Sequence, residues 1–306
     1  MAELNPGTRA LLIIAHAYLP STASGVQRVL RMVKYLPENG YRPHVICSTR
    51  EGVLPGIANV TYAPNDFTNQ VAAKASRRAE RIQRAILPYN DSIPWAPHAA
   101  AAAEAFLEKQ RHAIVLTTSP PIVSHFAALR LKRRLGVRWV ADFRDPLLGN
   151  PARSRKWAKI YDSLVQRRFM RNCDAAIAVS DVVFDDWRRR YPQWAAKFHL
   201  IWNGFDPEGL VSAAPVPPRS YRVLTHAGTL YTSRFPFWLV ESLERLFQRG
   251  VVDPSSIKIR LIGHVDGSST FLEHPAVAAM MAKGCLECDG KQIPRADADR
   301  AVVTSD

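Results

Sequence analysis

The sequence predicts an α/β fold built as two doubly wound parallel layers in series, the second of them incomplete. Three observations carry this expectation. Short, continuous apolar runs alternate with helical spacings along most of the chain, and each run ends in a polar or glycine-containing turn. A proline-rich stretch, Ala213 to Pro218, then interrupts the alternation, which restarts for a shorter second part. The expected organisation is a first domain over 1–210, a linker over 211–220 and a partial domain over 221–306.

The elements follow in order. Arg9 to Ala17 (RALLIIAHA) has the unbroken apolar character of a strand buried on both faces. A loop of small polar residues, Tyr18 to Gly25, leads into helical spacing through Val26, Leu30, Val33 and Leu36, which stops at Asn39-Gly40. His44 to Ser48 is the next strand, completing one parallel crossover. A basic helix is expected over Lys74 to Leu87 and an alanine-rich one over Ala99 to Arg111. Ala113 to Thr117 reads as a strand, Ile122 to Leu135 as a helix and Arg138 to Phe143 as a strand. They are followed by a helix from Trp157 to Arg171 and strands over Ala175 to Val179 and Phe198 to Trp202. After the linker come a strand (Tyr221 to Ala227), a loop (Gly228 to Ser233), a helix (Pro236 to Arg249) and a strand (Ile257 to Ile262). A helix over His274 to Lys283, a weak strand from Cys285 to Cys288 and a helix beginning near Arg295 complete the pattern. A doubly wound domain needs on the order of 100–150 residues, so the second part reads as truncated.

Composition excludes several classes. Of 306 residues, 47% are hydrophobic, too many for a disordered chain. No run approaches the ~20 apolar residues of a membrane span, and Met1 to Gly7 lacks the basic start of a secretory signal. Four scattered cysteines do not make a disulfide framework, so a reducing, cytoplasmic setting is expected. The net charge of +14 is uneven: residues 1–210 hold 30 Lys and Arg against 17 Asp and Glu, residues 211–306 only 11 against 10. That field favours phosphate-bearing ligands, an anionic membrane face or nucleic acid. Arg77 to Arg84, Arg130 to Arg138, Arg153 to Lys159, Arg167 to Arg171 and Arg188 to Arg190 form the basic runs, with Trp157, Trp187 and Trp194 nearby. Basic residues beside tryptophan suit a bilayer interface. A solvated basic face is the plainer alternative, and no nucleic-acid reader motif accompanies the charge.

With these pieces in order, the sequence resembles the nucleotide-sugar-dependent glycosyltransferases of GT-B architecture, group 1 or family-four type. The resemblance spans nearly the whole chain. It rests on Pro20 and Gly25 of the first loop, Thr118-Ser119-Pro120-Pro121, Ala141-Asp142-Phe143-Arg144-Asp145-Pro146 and Asp174 to Ser180. Asn203-Gly204-Phe205-Asp206 and His226-Ala227-Gly228-Thr229-Leu230 complete it. It implies two Rossmann-like domains and transfer of a sugar, with retained anomeric configuration, from a nucleotide-diphosphate sugar. The acceptor would be a glycan or lipid-linked precursor of a surface polysaccharide, handled by a cytoplasmic enzyme peripheral to the membrane. The leaving diphosphate would be neutralised by helix N-termini and basic side chains, with no metal and no other cofactor.

The resemblance, together with where residues fall at the ends of the predicted strands, implies the site candidates. Gly25 opens the first helix, where a missing Cβ lets backbone N–H groups approach a diphosphate. Arg144 and Asp145 follow a buried strand at the ligand edge. A carboxylate there suits taking the acceptor hydroxyl's proton, or it caps the next segment or pairs with Arg144. Ser119, Asp142 and His16 are acceptor-side candidates at the same edge, with a core or rim histidine as the alternative for His16. Gly228, Thr229 and Arg234 are donor-diphosphate candidates in the second domain, where Arg234 offers a bidentate cation. Relatives commonly carry an Arg after the glycine and a Lys-Gly pair beyond it. Here Thr229 and Phe235-Pro236 occupy those places, and many relatives have His where Arg144 stands. The family's two glutamates eight apart would lie beyond Asp306. These departures keep two alternatives open: a degenerate partner or binding subunit, and a nucleotide-sugar epimerase. Cys285 and Cys288 have zinc-like spacing but no second pair, so a strand is the better reading.

Overall fold

In the computed structural model the described residues are 8–21, 23, 25–65, 93–149, 156–209, 218–231, 235–265, 268–288, 290–291 and 293–306. The basic helix expected over Lys74 to Leu87 and most of the linker lie outside them. The chain forms two compact units, Met1–Gly204 and Phe205–Asp306.

The first unit is a parallel sheet of seven described strands. They are β1 (Arg9–Ile14), β2 (Tyr41–Ser48), β3 (Val60–Ala63), β4 (Ile114–Ser119), β5 (Arg138–Phe143), β6 (Ala175–Ala178) and β7 (Phe198–Leu200). Their order is β3-β2-β1-β4-β5-β6-β7, with β1 beside β4 in parallel register, Leu11 opposite Ile114. The chain therefore winds outward from β1 to β3, then restarts at β4 and winds the other way. The crevice at the carboxyl ends of β1 and β4 is the place where such sheets hold ligands.

Helices cover both faces. On one face α1 (Val26–Tyr35) packs Val26 and Val29 against Leu11, Ile13 and Val45, and the turn after it closes at Gly40 with φ of 75°. The opposite face carries α2 (Trp95–Lys109), α3 (Val123–Leu135), α4 (Lys156–Asn172) and α5 (Asp181–Arg190). Against these, Leu12, Ile14, Val115, Trp139, Phe143 and Phe169 form the larger core. Helix α2 starts earlier than its alanines suggest. Trp95 is fully buried and donates its indole N–H to Ala63 O at 3.2 Å, while Pro97 sits in the first turn, where no amide partner is lost. Ser180 caps α5 by accepting from the Val183 amide.

The second unit is smaller. Its sheet has the order β10-β9-β8, from β8 (Arg222–Ala227), β9 (Ile257–Ile262) and β10 (Leu286–Cys288), all parallel. Helices α6 (Phe237–Gln248), α7 (Ser268–Leu272) and α8 (Pro275–Ala282) supply Val240, Phe247, Phe271, Val277 and Met280 to a core completed by Ile259, Leu261 and Leu286. A final helix, α9 (Arg295–Val303), precedes Asp306, whose carboxylate accepts from the Val223 amide at 2.8 Å. Cys285 is buried in this core with its thiol directed at Met280 O, and burial raises its pKa. Among the described residues no cluster of three His, Cys, Asp or Glu is arranged to hold a metal.

Candidate active site

The carboxyl edge of the first sheet is organised by two polar assemblies. The first centres on Asp142, the fifth residue of β5 and wholly buried. A buried carboxylate requires a partner, and α1 supplies one. Arg28 donates from Nη2 to Asp142 Oδ1 at 2.8 Å and from Nε to Oδ2 at 3.0 Å, while Thr118 Oγ1 donates to Oδ2 at 2.8 Å. The same guanidinium donates to the carbonyls of Ile201 and Trp202 and to Asn203 Oδ1. Arg28 thus ties the first helix, the centre of the sheet and the segment after β7 to one another.

The second assembly holds Arg144. Its backbone amide and its Nε both donate to Ser119 O, at 2.9 and 3.1 Å, and Nη2 donates to Pro120 O. The guanidinium lies against the Cα of Gly25, so closely that a Cβ there would overlap Nη1 and Cζ. Gly25 therefore admits a cation to the start of α1, where no side chain caps the helix. Burial lowers the Arg144 pKa, Asp142 and Asp145 partly restore it, and Arg28 lowers it further. It remains a cation, as guanidinium does in proteins. Below it lies a buried chain: Trp139 Nε1 donates to Thr117 Oγ1, which lies 2.7 Å from His125 Nδ1, and His125 Nε2 is 2.9 Å from Ser119 Oγ. Burial, then the nearby Arg144, pushes the His125 pKa down to about 3, so the ring is neutral and links β4 to α3 by hydrogen bonds alone.

The sequence candidates divide accordingly. Gly25, Arg144 and Ser119 come together, Ser119 through its carbonyl, with its hydroxyl turned to His125. Asp145 is exposed at the same edge. The Asp142 carboxylate is engaged by Arg28 and Thr118 and positions the edge from below. His16, 7% exposed, packs edge-on to Trp95 with Nε2 3.1 Å from Asn65 Nδ2; burial, with help from Arg50, takes its pKa down to about 4. Its ring lies beyond the carboxyl end of β1, between Trp95 and Asn65. Arg28 and His125 were not among the sequence candidates. The available signal was Asp142 itself, an acid inside an apolar strand.

In the second unit, Gly228 and Thr229 follow β8 and are exposed, while Arg234 lies outside the described residues. The Gly228 amide donates to Ile262 O, and Gly263, with φ of 125°, passes so close that a Cβ on it would overlap the Gly228 carbonyl. Two glycines thus shape the carboxyl edge there. A hollow of about 930 Å3, lined by Arg9, Arg111, Arg134 and Arg138 among others, opens at the amino ends of the first unit's strands, away from the ligand edge of such sheets.

Residues 24–208 match Glycosyltransferase Family 4, and that span includes both assemblies. The chain belongs to glycosyltransferase family 4. It is a glycosyltransferase with two Rossmann-like α/β units, the second smaller. No curated protein matches the chain in sequence. Similar solved structures include the N-terminal domain of Candida albicans trehalose-6-phosphate phosphatase, at 9% identity and a TM-score of 0.69, covering 97% of this chain and 75% of that one. Sucrose-phosphate synthase from Thermosynechococcus elongatus matches at 12% identity and 0.65, covering 97% and 74%. Anabaena HepE in complex with UDP and glucose matches at 13% and 0.60, covering 97% and 72%. At these identities the likeness is one of fold.

Proposed function

We propose that this family 4 enzyme transfers a sugar, with retention, from a nucleotide-diphosphate sugar to a lipid-linked or surface-polysaccharide precursor. It would work on the cytoplasmic side as a protein peripheral to an anionic membrane. The observation that carries this reading is the Arg144 guanidinium held against Gly25 at the open start of α1. A cation and a helix start that no side chain caps share one spot there, which suits a leaving diphosphate. HepE was solved with UDP-glucose and a starch synthase with ADP, which supports a uridine or adenine nucleotide here.

In the reaction the C1–phosphate oxygen bond breaks and a C1–oxygen bond to the acceptor forms on the same face of the sugar. The acceptor hydroxyl's proton passes to the departing diphosphate oxygen. Arg144 at the positive end of α1 stabilises the charge that develops on that oxygen, Asp145 accepts a hydrogen bond from a neighbouring hydroxyl of the acceptor and so orients it, and no metal is required. Gly228, Thr229 and Arg234 are the donor-side residues of the second unit. Incubation with UDP- and ADP-sugars and membrane extract, with products resolved by mass and anomeric NMR, tests the reading. The expected product is a glycoside of the donor's own configuration. An isomerised nucleotide-sugar without a glycoside would identify an epimerase, and neither product together with no nucleoside diphosphate binding would identify a partner subunit.

A further inference from the structure

Trp187 and Trp194 do not form the lipid-facing surface that the sequence suggests. Trp187 is buried at 1% exposure, and Trp194 is half-buried, stacked on Tyr191 at 5.7 Å. The side chain of Trp157 lies outside the described residues. Among the described residues, α4 carries two strongly exposed apolar side chains together with three exposed arginines. Ile160 and Leu164 are each 64% exposed, and Arg167, Arg168 and Arg171 are exposed on the same helix.

Their spacing from Ile160 is 4, 7, 8 and 11 residues, which places all five on one stripe about 100° wide. The opposite face of α4, with Val165, Phe169 and Met170, is buried in the core. The single acid among the helix residues, Asp162, lies on that inner side at 1% exposure, so the outer stripe carries no described negative charge. Along the axis the groups are sorted. The apolar pair lies in the half of α4 that begins after the Arg144-Asp145 loop, and the arginines lie toward its far end. The Leu148 amide donates to Gln166 Oε1, which fastens that loop to the helix.

We infer that the outer stripe of α4 is a docking surface for an anionic phospholipid bilayer, with Ile160 and Leu164 entering the acyl boundary and the three arginines on headgroup phosphates. Charge complementarity favours this occupant: a three-arginine stripe without an acid repels a second copy of itself and is drawn to a negative surface. A helix lying in the interface with its apolar side chains inserted is a known physical solution for such a stripe. It would bring the carboxyl edge of the sheet to the height at which a lipid-linked hydroxyl leaves the membrane. The inference rests on the proposed lipid-linked acceptor for its purpose, though not for its geometry.

The test is co-sedimentation of the full chain with vesicles of phosphatidylcholine alone or with 30% phosphatidylglycerol. We expect binding at least about tenfold stronger to the anionic vesicles, weakened by salt. Ile160→Ser with Leu164→Ser, and separately Arg167→Glu with Arg168→Glu, are each expected to lower it about tenfold or more without changing the melting temperature. Arg188→Glu with Arg189→Glu on α5 should lower it less. Equal binding to both vesicles, α4 variants that bind like wild type, or an α5 variant that loses as much would overturn the assignment. So would a change of sedimentation coefficient in the Ile160–Leu164 variant, which would make the occupant a second copy. Calorimetry with UDP and ADP on the same proteins separates the two proposals. Retained nucleotide binding with no vesicle binding defeats only the docking surface, and the reverse defeats only the transferase reading.

Discussion

The carboxyl edges of the two sheets are built by different means. In the first unit the edge is fastened by side chains: Arg28 spans β5 and the segment after β7, and His125 spans β4 and α3. In the second unit it is set by backbone contact between Gly228 and Gly263. A buried ion pair gains little net stability but penalises every arrangement that separates its members. A pair of glycines lets two chains approach without fixing any side chain. The first edge is thus rigid and charged, and the second is narrow and open.

The contrast is broken most strongly at Arg28. Arg28→Met leaves the Asp142 carboxylate buried without its cation and is expected to destabilise the first unit by about 3–5 kcal/mol, measured by urea unfolding. Arg28→Met combined with Asp142→Leu should lose clearly less than the sum of the two single changes. Additive losses would show that the two side chains do not act as a pair. In the second unit, Gly263→Ala places a Cβ against the Gly228 carbonyl at a positive φ. Its expected effect is about 1–3 kcal/mol, read as a lower melting temperature, whereas Gly284→Ala, with open space around its Cα, should show only the φ penalty.

Much of the fold was legible locally. Strands such as Arg138–Phe143 and Ile257–Ile262, and the stop of α1 before Gly40, follow from runs and turn residues alone. β3 was not read because it has only four residues, three of them half-buried, and so offers neither a continuous apolar run nor a clean alternation. The first turn of α2 was hidden by its prolines. At the site, glycine and charged positions after each strand were legible, because parallel strands deliver their following turns to one edge. The partnership of Arg28 with Asp142 was not, since 114 positions separate them and only the assembled sheet brings them together.

A further effect concerns pH. Burial, aided by Arg144 and Arg50, pushes the pKa of His125 down to about 3 and that of His16 to about 4, from 6.5 in the unfolded chain. Above 6.5 both are neutral in either state, and their burial carries no protonation penalty. As pH falls below 6.5 the unfolded chain takes up protons that the folded chain does not, so stability declines toward pH 4 and below. His125→Gln should be less stable near neutrality and lose less on acidification from pH 6.5 to 4 than wild type. An identical slope would show that His125 is accessible to protons in the folded state.

The proposed function turns on Arg144, admitted by Gly25 to the start of α1, receiving the donor's diphosphate. Calorimetric titration of UDP and ADP into wild type, Gly25→Ala and Arg144→Gln tests it most directly. The account predicts about tenfold or greater weakening in both variants, about 1.4 kcal/mol or more, with both still folded, because the added methyl displaces a guanidinium from its hydrogen bonds to Ser119 and Pro120 and leaves the apolar core untouched. Undiminished nucleotide affinity in two folded variants would contradict it.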